Sequence, residues 1–259
     1  AEGLAVRAKA ALSAAPPVSP ATANPATGPR PATARRAPWA AIVGAAFVIA
    51  AAALASASLV RVVRTEPGLP LWDEAAQGFA GLEAARALGA FRPLEFLAVL
   101  NRQVVWPFVH ALLMLPGFAL LGAGFDTPAL VNAVLFGLTA ALVFAAGLAL
   151  HPTRGPWTGT LAALLMLASP LYRVFGTLGM TEIPGACLLA LGLALHARCG
   201  AANVPRGLLI AAGISATALF LLKYNYGLLW LAALLVNEWL RLDRAERAAR
   251  RARAAAWLR

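Results

Sequence analysis

Residues 39–60 contain no charged side chain, and 22 residues at about 1.5 Å of rise each give about 33 Å, enough to cross the hydrocarbon core of a bilayer. Six further apolar runs follow at about 104–121, 128–150, 158–175, 184–198, 207–222 and 225–240. Composition agrees with the runs: 61% of the 259 residues are hydrophobic and 13% charged, against roughly 45–50% and 25% in soluble domains. The expected fold class is therefore an all-α integral membrane protein.

Charge then fixes the topology. There are 22 Lys and Arg against 11 Asp and Glu, and with so few charges the basic excess must sit in loops, which makes it a topology signal rather than a nucleic-acid signal. Arg30, Arg35 and Arg36 precede the first span and place the N-terminus in the cytoplasm, although Arg61 and Arg64 beyond it pull the other way. Seven spans would put the arginine-rich residues 241–259 outside, against the positive-inside rule where it is most heavily loaded. If 104–121, which holds Pro107, His110, Pro116 and Gly117, lies along the outer face instead, about six spans remain. Arg154, Arg198, Arg206 and the tail all then become cytoplasmic, and Trp39, Trp157 and Trp239 fall at that interface.

Three regions result. Residues 1–37, with Pro16, Pro17, Pro20, Pro25, Pro29 and Pro31, read as a disordered cytoplasmic tail. Residues 38–240 form the transmembrane module, with a long first external loop over 61–127, and 241–259 a basic cytoplasmic segment. Within the loop, 73–88 reads as an interfacial helix with Phe79, Leu82 and Leu88 on its apolar side and Glu83 and Arg86 opposite. Cys187 and Cys199 are too few and too differently placed for a disulfide framework or a metal site. Gly155 and Gly159 make a lone GxxxG, a weak dimerisation signal.

The six-span topology puts four ionisable candidates on the outer side. Asp73 and Glu74 follow the first span, where a carboxylate can act as general base on a hydroxyl, and where Asp73 reads equally well as an N-cap with Glu74 complementing the helix dipole. Glu182, in Thr181-Glu182-Ile183-Pro184, has the same capping alternative. Lys223 stands at the mouth of an apolar span, as a phosphate ligand or as a snorkelling lysine. Two carboxylates and a cation facing one vestibule suit displacement of a phosphate from an anomeric carbon. Tyr172 and Arg173 either contact a lipid phosphate or mark the interface, and His110 and His196 read as packed or interfacial histidines. No P-loop, dinucleotide fingerprint or metalloprotease motif occurs.

These residues resemble the polyprenyl-phosphate-sugar-dependent glycosyltransferases of the GT-C class, which include protein O-mannosyltransferases and the aminoarabinose transferase of lipid A. The resemblance lies in Asp73-Glu74, in residues 161–172 with their Ser169-Pro170-Leu171-Tyr172 leading to Thr181-Glu182, and in Leu221-Leu222-Lys223-Tyr224. It runs from about residue 39 to 240. It implies Asp73 as catalytic base with Glu74 beside it, Glu182 as the acidic residue of the next external loop, and Lys223 near the lipid phosphate. It also implies a polyprenyl-phosphate-linked sugar donor, a lipid, glycan or protein acceptor, and a site on the outer face of the bacterial plasma membrane. The two carboxylates leave room for a divalent cation, with no complete ligand set in the sequence and no other cofactor implied.

Three departures stand out. The His-Pro-Pro of many members is here Trp106-Pro107 with His110 displaced, and their arginine at the start of the second span is replaced by the neighbourhood Leu130, Val131 and Asn132. Members continue with more spans, whereas this chain begins without methionine and stops at Arg259, so an N-terminal fragment is expected. The alternative from another class is a non-catalytic transporter or flippase-like protein for the same lipid, or a membrane scaffold. The absence of charge within 39–60 and 130–150 weighs against ion-coupled transport.

Overall fold

The computed structural model describes residues 38–66, 72–102, 108–151, 154–199 and 204–257, without the side chains of Pro38, Trp72, 241–245 and 247–257. The tail expected over 1–37 and the Trp106-Pro107 pair lie outside what is described. Among the described residues there are ten helices and no strand: α1 (Pro38–Thr65), α2 (Trp72–Gly89), α3 (Pro93–Asn101), α4 (Val109–Leu121), α5 (Thr127–Leu150), α6 (Gly155–Ala168), α7 (Pro170–Phe175), α8 (Glu182–Cys199), α9 (Arg206–Leu222) and α10 (Tyr224–Trp257). Three of these, Trp39–Thr65 within α1, α5 and α8, are long and apolar enough to cross a membrane.

Two of the other expected spans are organised differently, and the run expected not to span is short. The run at 158–175 is two helices, broken where Pro170 removes a backbone donor and biases Ser169 away from helical dihedrals. Ser169 is extended (φ −64, ψ 118), and its hydroxyl accepts from the Tyr172 N–H at 3.4 Å to start α7. The run at 225–240 is the first half of a 34-residue helix that carries on through the basic segment. The run at 104–121 holds α4, whose 13 residues reach about 20 Å and fall short of a hydrocarbon core of about 30 Å.

The central helix is α5. Ala133, Phe136 and Ala140 on it are fully buried against Val48, Ala52 and Leu59 of α1, Ala163 and Leu167 of α6, and Ile183 of α8. Close approach of α6 depends on glycine: a Cβ at Gly159 would stand 2.7 Å from the Phe144 carbonyl oxygen, and one at Gly155 2.9 Å from that of Gly147. The Gly155/Gly159 pair is thus used inside the chain, as a small-residue seam between α5 and α6, and not left open for a second copy. Outside the bundle, Ile42, Phe47, Leu54, Leu161, Leu165, Ile210, Ile214, Leu229 and Leu235 all stand more than half exposed. So broad an apolar surface suits lipid contact and not water.

The relative direction of α1 and α5 follows from one ion pair. Arg64 at the end of α1 meets Asp126 before α5 at 2.8 Å, so these two helices run antiparallel with those ends together. The same end of the bundle carries α2, α4, the 176–181 turn and Lys223. At the other end lie Arg154, Arg198 and Arg206, and a contact of His196 with Glu238 at 3.8 Å.

The face of α2 that packs is not the one with large apolar side chains. Phe79 and Leu88 are exposed, whereas Glu74, Gln77, Ala80, Gly81, Ala84 and Ala87 are buried. A Cβ at Gly81 would sit 3.0 Å from both Met114 and Phe118, so small residues let α2 lie close on α4 while its bulky side chains point outward. Phe79 and Leu88, expected on the apolar side of an interfacial helix, are thus exposed, and the face packed within the protein is the one lined with small residues.

Candidate functional site

The site is built on the turn at 176–181, between α7 and α8. Asn132, fully buried in the first turns of α5, donates its Nδ2 to the carbonyls of Leu178 at 2.6 Å and Met180 at 2.7 Å. From the other side Glu74, buried in the first turn of α2, accepts the Gly179 N–H on Oε1. Only glycine fits at 179, because a Cβ there would lie 2.6 Å from Pro128 Cβ and 3.0 Å from Glu74 Oε1. The turn is therefore clamped between two helices that are far apart in sequence, and Glu182 emerges from it as the first residue of α8.

Lys223 occupies the extended break between α9 and α10 (φ −158, ψ 117). Its Nζ donates to Glu182 Oε1 at 3.1 Å, and the Tyr226 hydroxyl donates to the same oxygen at 3.4 Å. Glu182 Oε2 is enclosed with no hydrogen-bond partner among the described residues. Burial pulls the Lys223 ammonium down, but the Glu182 carboxylate more than offsets it, so Lys223 titrates above the ordinary lysine range and is charged at neutral pH.

Below this pair, α8, α9 and α10 enclose a groove of about 530 Å³ whose polar mouth is Glu182 and Tyr226 and whose walls include Leu189, Leu193, Leu229 and Trp230. From Glu182 to Leu193 the helix rises about 16 Å. The slot is apolar along its length and ends at the Glu182 carboxylate, whose partner just outside the lining is the Lys223 ammonium.

Of the residues singled out from sequence, Glu74, Glu182 and Lys223 are brought to this end and engaged there. Asp73 stands next to Glu74 on α2, half-buried, with no hydrogen-bond partner among the described residues. Arg173 is exposed on α7. Tyr172 is turned into the core, stacked on Phe136 at 4.7 Å and 26° with its hydroxyl enclosed, so its expected place at a lipid phosphate is corrected: a ring flat against Phe136 anchors α7 to α5. Among the described residues no three of His, Cys, Asp and Glu cluster as metal ligands would.

Sequence reasoning passed over Asn132, Gly179 and Tyr226. Asn132 was the readable one, since an amide inside a 24-residue apolar helix must satisfy its donors somewhere.

His110 lies buried on α4, and that burial, against a smaller opposing pull from the Gly179 backbone, holds its imidazole down to about 4. An unfolded histidine takes its proton near pH 6.5, which the folded chain refuses until about pH 4. The folded state's advantage is thus complete above pH 6.5 and shrinks as pH falls through that window, by about 3 kcal/mol in all. Thermal unfolding in detergent between pH 7 and 4 should show this loss in the wild type and a flatter profile in His110→Leu. Equal slopes would place the acid sensitivity elsewhere.

Comparison of the chain with family models, with curated proteins and with solved structures finds no match.

Proposed function

We propose that this chain is the catalytic part of a membrane glycosyltransferase that moves a sugar from a polyprenyl-phosphate donor to an acceptor hydroxyl at the outer face of a bacterial plasma membrane. The observation that carries it is the convergence of the acidic pair of α2, the 176–181 turn and the Glu182–Lys223 pair at one end of the bundle, above an apolar groove. The topology that goes with this reading has six crossings: α1, α5, α6 with α7, α8, α9 and the first half of α10, with α2, α3 and α4 lying at the outer interface. It puts Arg154, Arg198, Arg206 and the arginine-rich residues 241–259 on the cytoplasmic side, as the positive-inside rule favours, and leaves Arg61, Arg64, Arg86, Arg92 and Arg102 in the outer segment.

In this reading the polyprenyl chain lies in the groove and its phosphate meets Lys223. An ammonium has three donors and can hold Glu182 and a phosphate oxygen together. Asp73 takes the proton of the acceptor hydroxyl, the oxygen forms its bond to the anomeric carbon, and the bond from that carbon to the phosphate oxygen breaks with its electron pair leaving on the polyprenyl phosphate. Lys223 stabilises that departing charge. Glu182 holds the lysine in place, and Glu74 fixes the turn from which Glu182 projects.

Impermeant thiol labelling in intact cells tests the arrangement. With Cys187 and Cys199 removed and single cysteines placed at positions 73, 182, 223 and 245, the first three are expected to label and the last to be protected. Protection at 182 or 223 would remove the shared outer vestibule and the mechanism with it.

A further inference from the structure

A second cavity lies on the far side of the clamped turn from the groove. It occupies about 190 Å³ between α2, α4 and the connection into α5, and Glu74, Phe79, Arg86, Phe118, Gly124 and Phe125 are among its walls. Nothing in the mechanism above uses Phe79, Arg86 or Phe125.

Its chemistry is mixed in a particular way. Phe79 and Phe125 meet edge to face at 6.4 Å and 89°, yet are 54% and 75% exposed, so each keeps an open ring surface beside the cavity. Glu74, a buried residue whose Oε1 already accepts the Gly179 N–H, brings a carboxylate with further acceptor lone pairs, and Arg86 brings an exposed guanidinium with no ion pair or hydrogen bond to another described residue. An aromatic face carries negative charge density and attracts polarised C–H groups. A carboxylate only accepts and a guanidinium only donates, so together they satisfy hydroxyls, which do both. A ring with C–H groups on its faces and hydroxyls around its rim is a sugar. The volume suits one: a cavity of about 150 Å³ already accommodates a benzene ring.

We infer that this cavity is the acceptor subsite and that it receives a sugar ring, so the hydroxyl being glycosylated belongs to a saccharide. The inference rests on the glycosyltransferase reading for the word acceptor. Asp73 immediately precedes Glu74 on α2, so a ring held against Glu74, Phe79 and Arg86 lies beside the proposed base, while the donor's phosphate and tail occupy Lys223 and the groove.

Saturation-transfer NMR on the full chain in detergent micelles tests it, with methyl α-D-mannopyranoside, methyl β-D-glucopyranoside and methyl β-D-galactopyranoside as probes. At least one is expected to receive saturation on its ring C–H protons. Affinity should fall about three- to tenfold in Phe79→Leu and in Arg86→Gln, and be kept in Phe79→Trp, which retains a ring face. Phe79 and Arg86 are exposed, so these variants leave the packed face of α2 untouched. Adding a short-chain polyprenyl-phosphate-mannose should leave the glycoside signal in place. Its displacement would make the cavity a donor-sugar site and overturn the acceptor role, as would turnover with peptide acceptors only. No saturation of any of the three glycosides, in a chain that does transfer sugar, overturns this cavity alone. Glycoside binding in a chain that transfers nothing from any polyprenyl-phosphate sugar overturns the acceptor role together with the transferase reading.

Discussion

Asp73→Asn is expected to cut sugar transfer by about 10²–10⁴-fold, the range that a positioned general base contributes, while the variant purifies and melts like the wild type. The structural ground for the second half is that Asp73 is half-buried and makes no hydrogen bond to a described residue, so the amide replaces a group on which the fold does not lean. Its neighbour differs. Glu74 is buried and holds the Gly179 N–H, so Glu74→Ala leaves a buried donor unsatisfied, at a cost of about 1–3 kcal/mol, whereas Glu74→Gln keeps an oxygen that can accept it. Initial rates and melting temperatures of the three variants separate the roles. Loss of rate without loss of stability belongs to Asp73, and loss of stability rescued by Gln belongs to Glu74. Wild-type turnover in Asp73→Asn would end the assignment of the base.

How much of this could be read from the chain differs by element. Apolar length and arginine placement yielded the helical class and the end of the bundle where the acidic residues meet, because both depend only on the cost of putting charge into hydrocarbon. Glu182 and Lys223 were also readable, as ionisable groups at the mouths of apolar runs. The packed face of α2 was not. Ala80, Gly81, Ala84 and Ala87 line it because small residues set how near α4 can come, a close-approach criterion that hydrophobic patterning does not encode. Tyr172 misled for a related reason: tyrosine near a span end suits an interface, but here Phe136 offered its ring a flat partner inside. The clamp at 178–180 needed Asn132, 46 residues from Leu178 in the chain, and no local pattern announces such a contact.

Lys223→Met is expected to lower kcat/KM by about 10- to 100-fold, the loss of one charge-assisted hydrogen bond to the departing phosphate. Ion pairs at half-exposed positions are also common as mere struts, so the discriminating variants are those of its partner. Burial alone would lower the Lys223 ammonium's pKa, and the Glu182 carboxylate is what lifts it above the ordinary lysine range. The cation is therefore present at all pH values below that raised pKa and is lost as pH rises through it. In Glu182→Gln the lifting charge is gone and burial remains, so the alkaline limb of the kcat/KM profile should move to lower pH, with activity near neutrality less affected than in Lys223→Met. The exchange Glu182→Lys with Lys223→Glu separates the two readings most sharply. It restores an ion pair across the α8–α10 mouth, and a strut would be satisfied by it. A phosphate anchor would not, because the anion would then meet a carboxylate where the ammonium had been, a like-charge contact that disfavours binding outright. The exchanged chain is thus expected to regain thermal stability and stay inactive, and recovery of both together would reassign Lys223 from the phosphate to the fold.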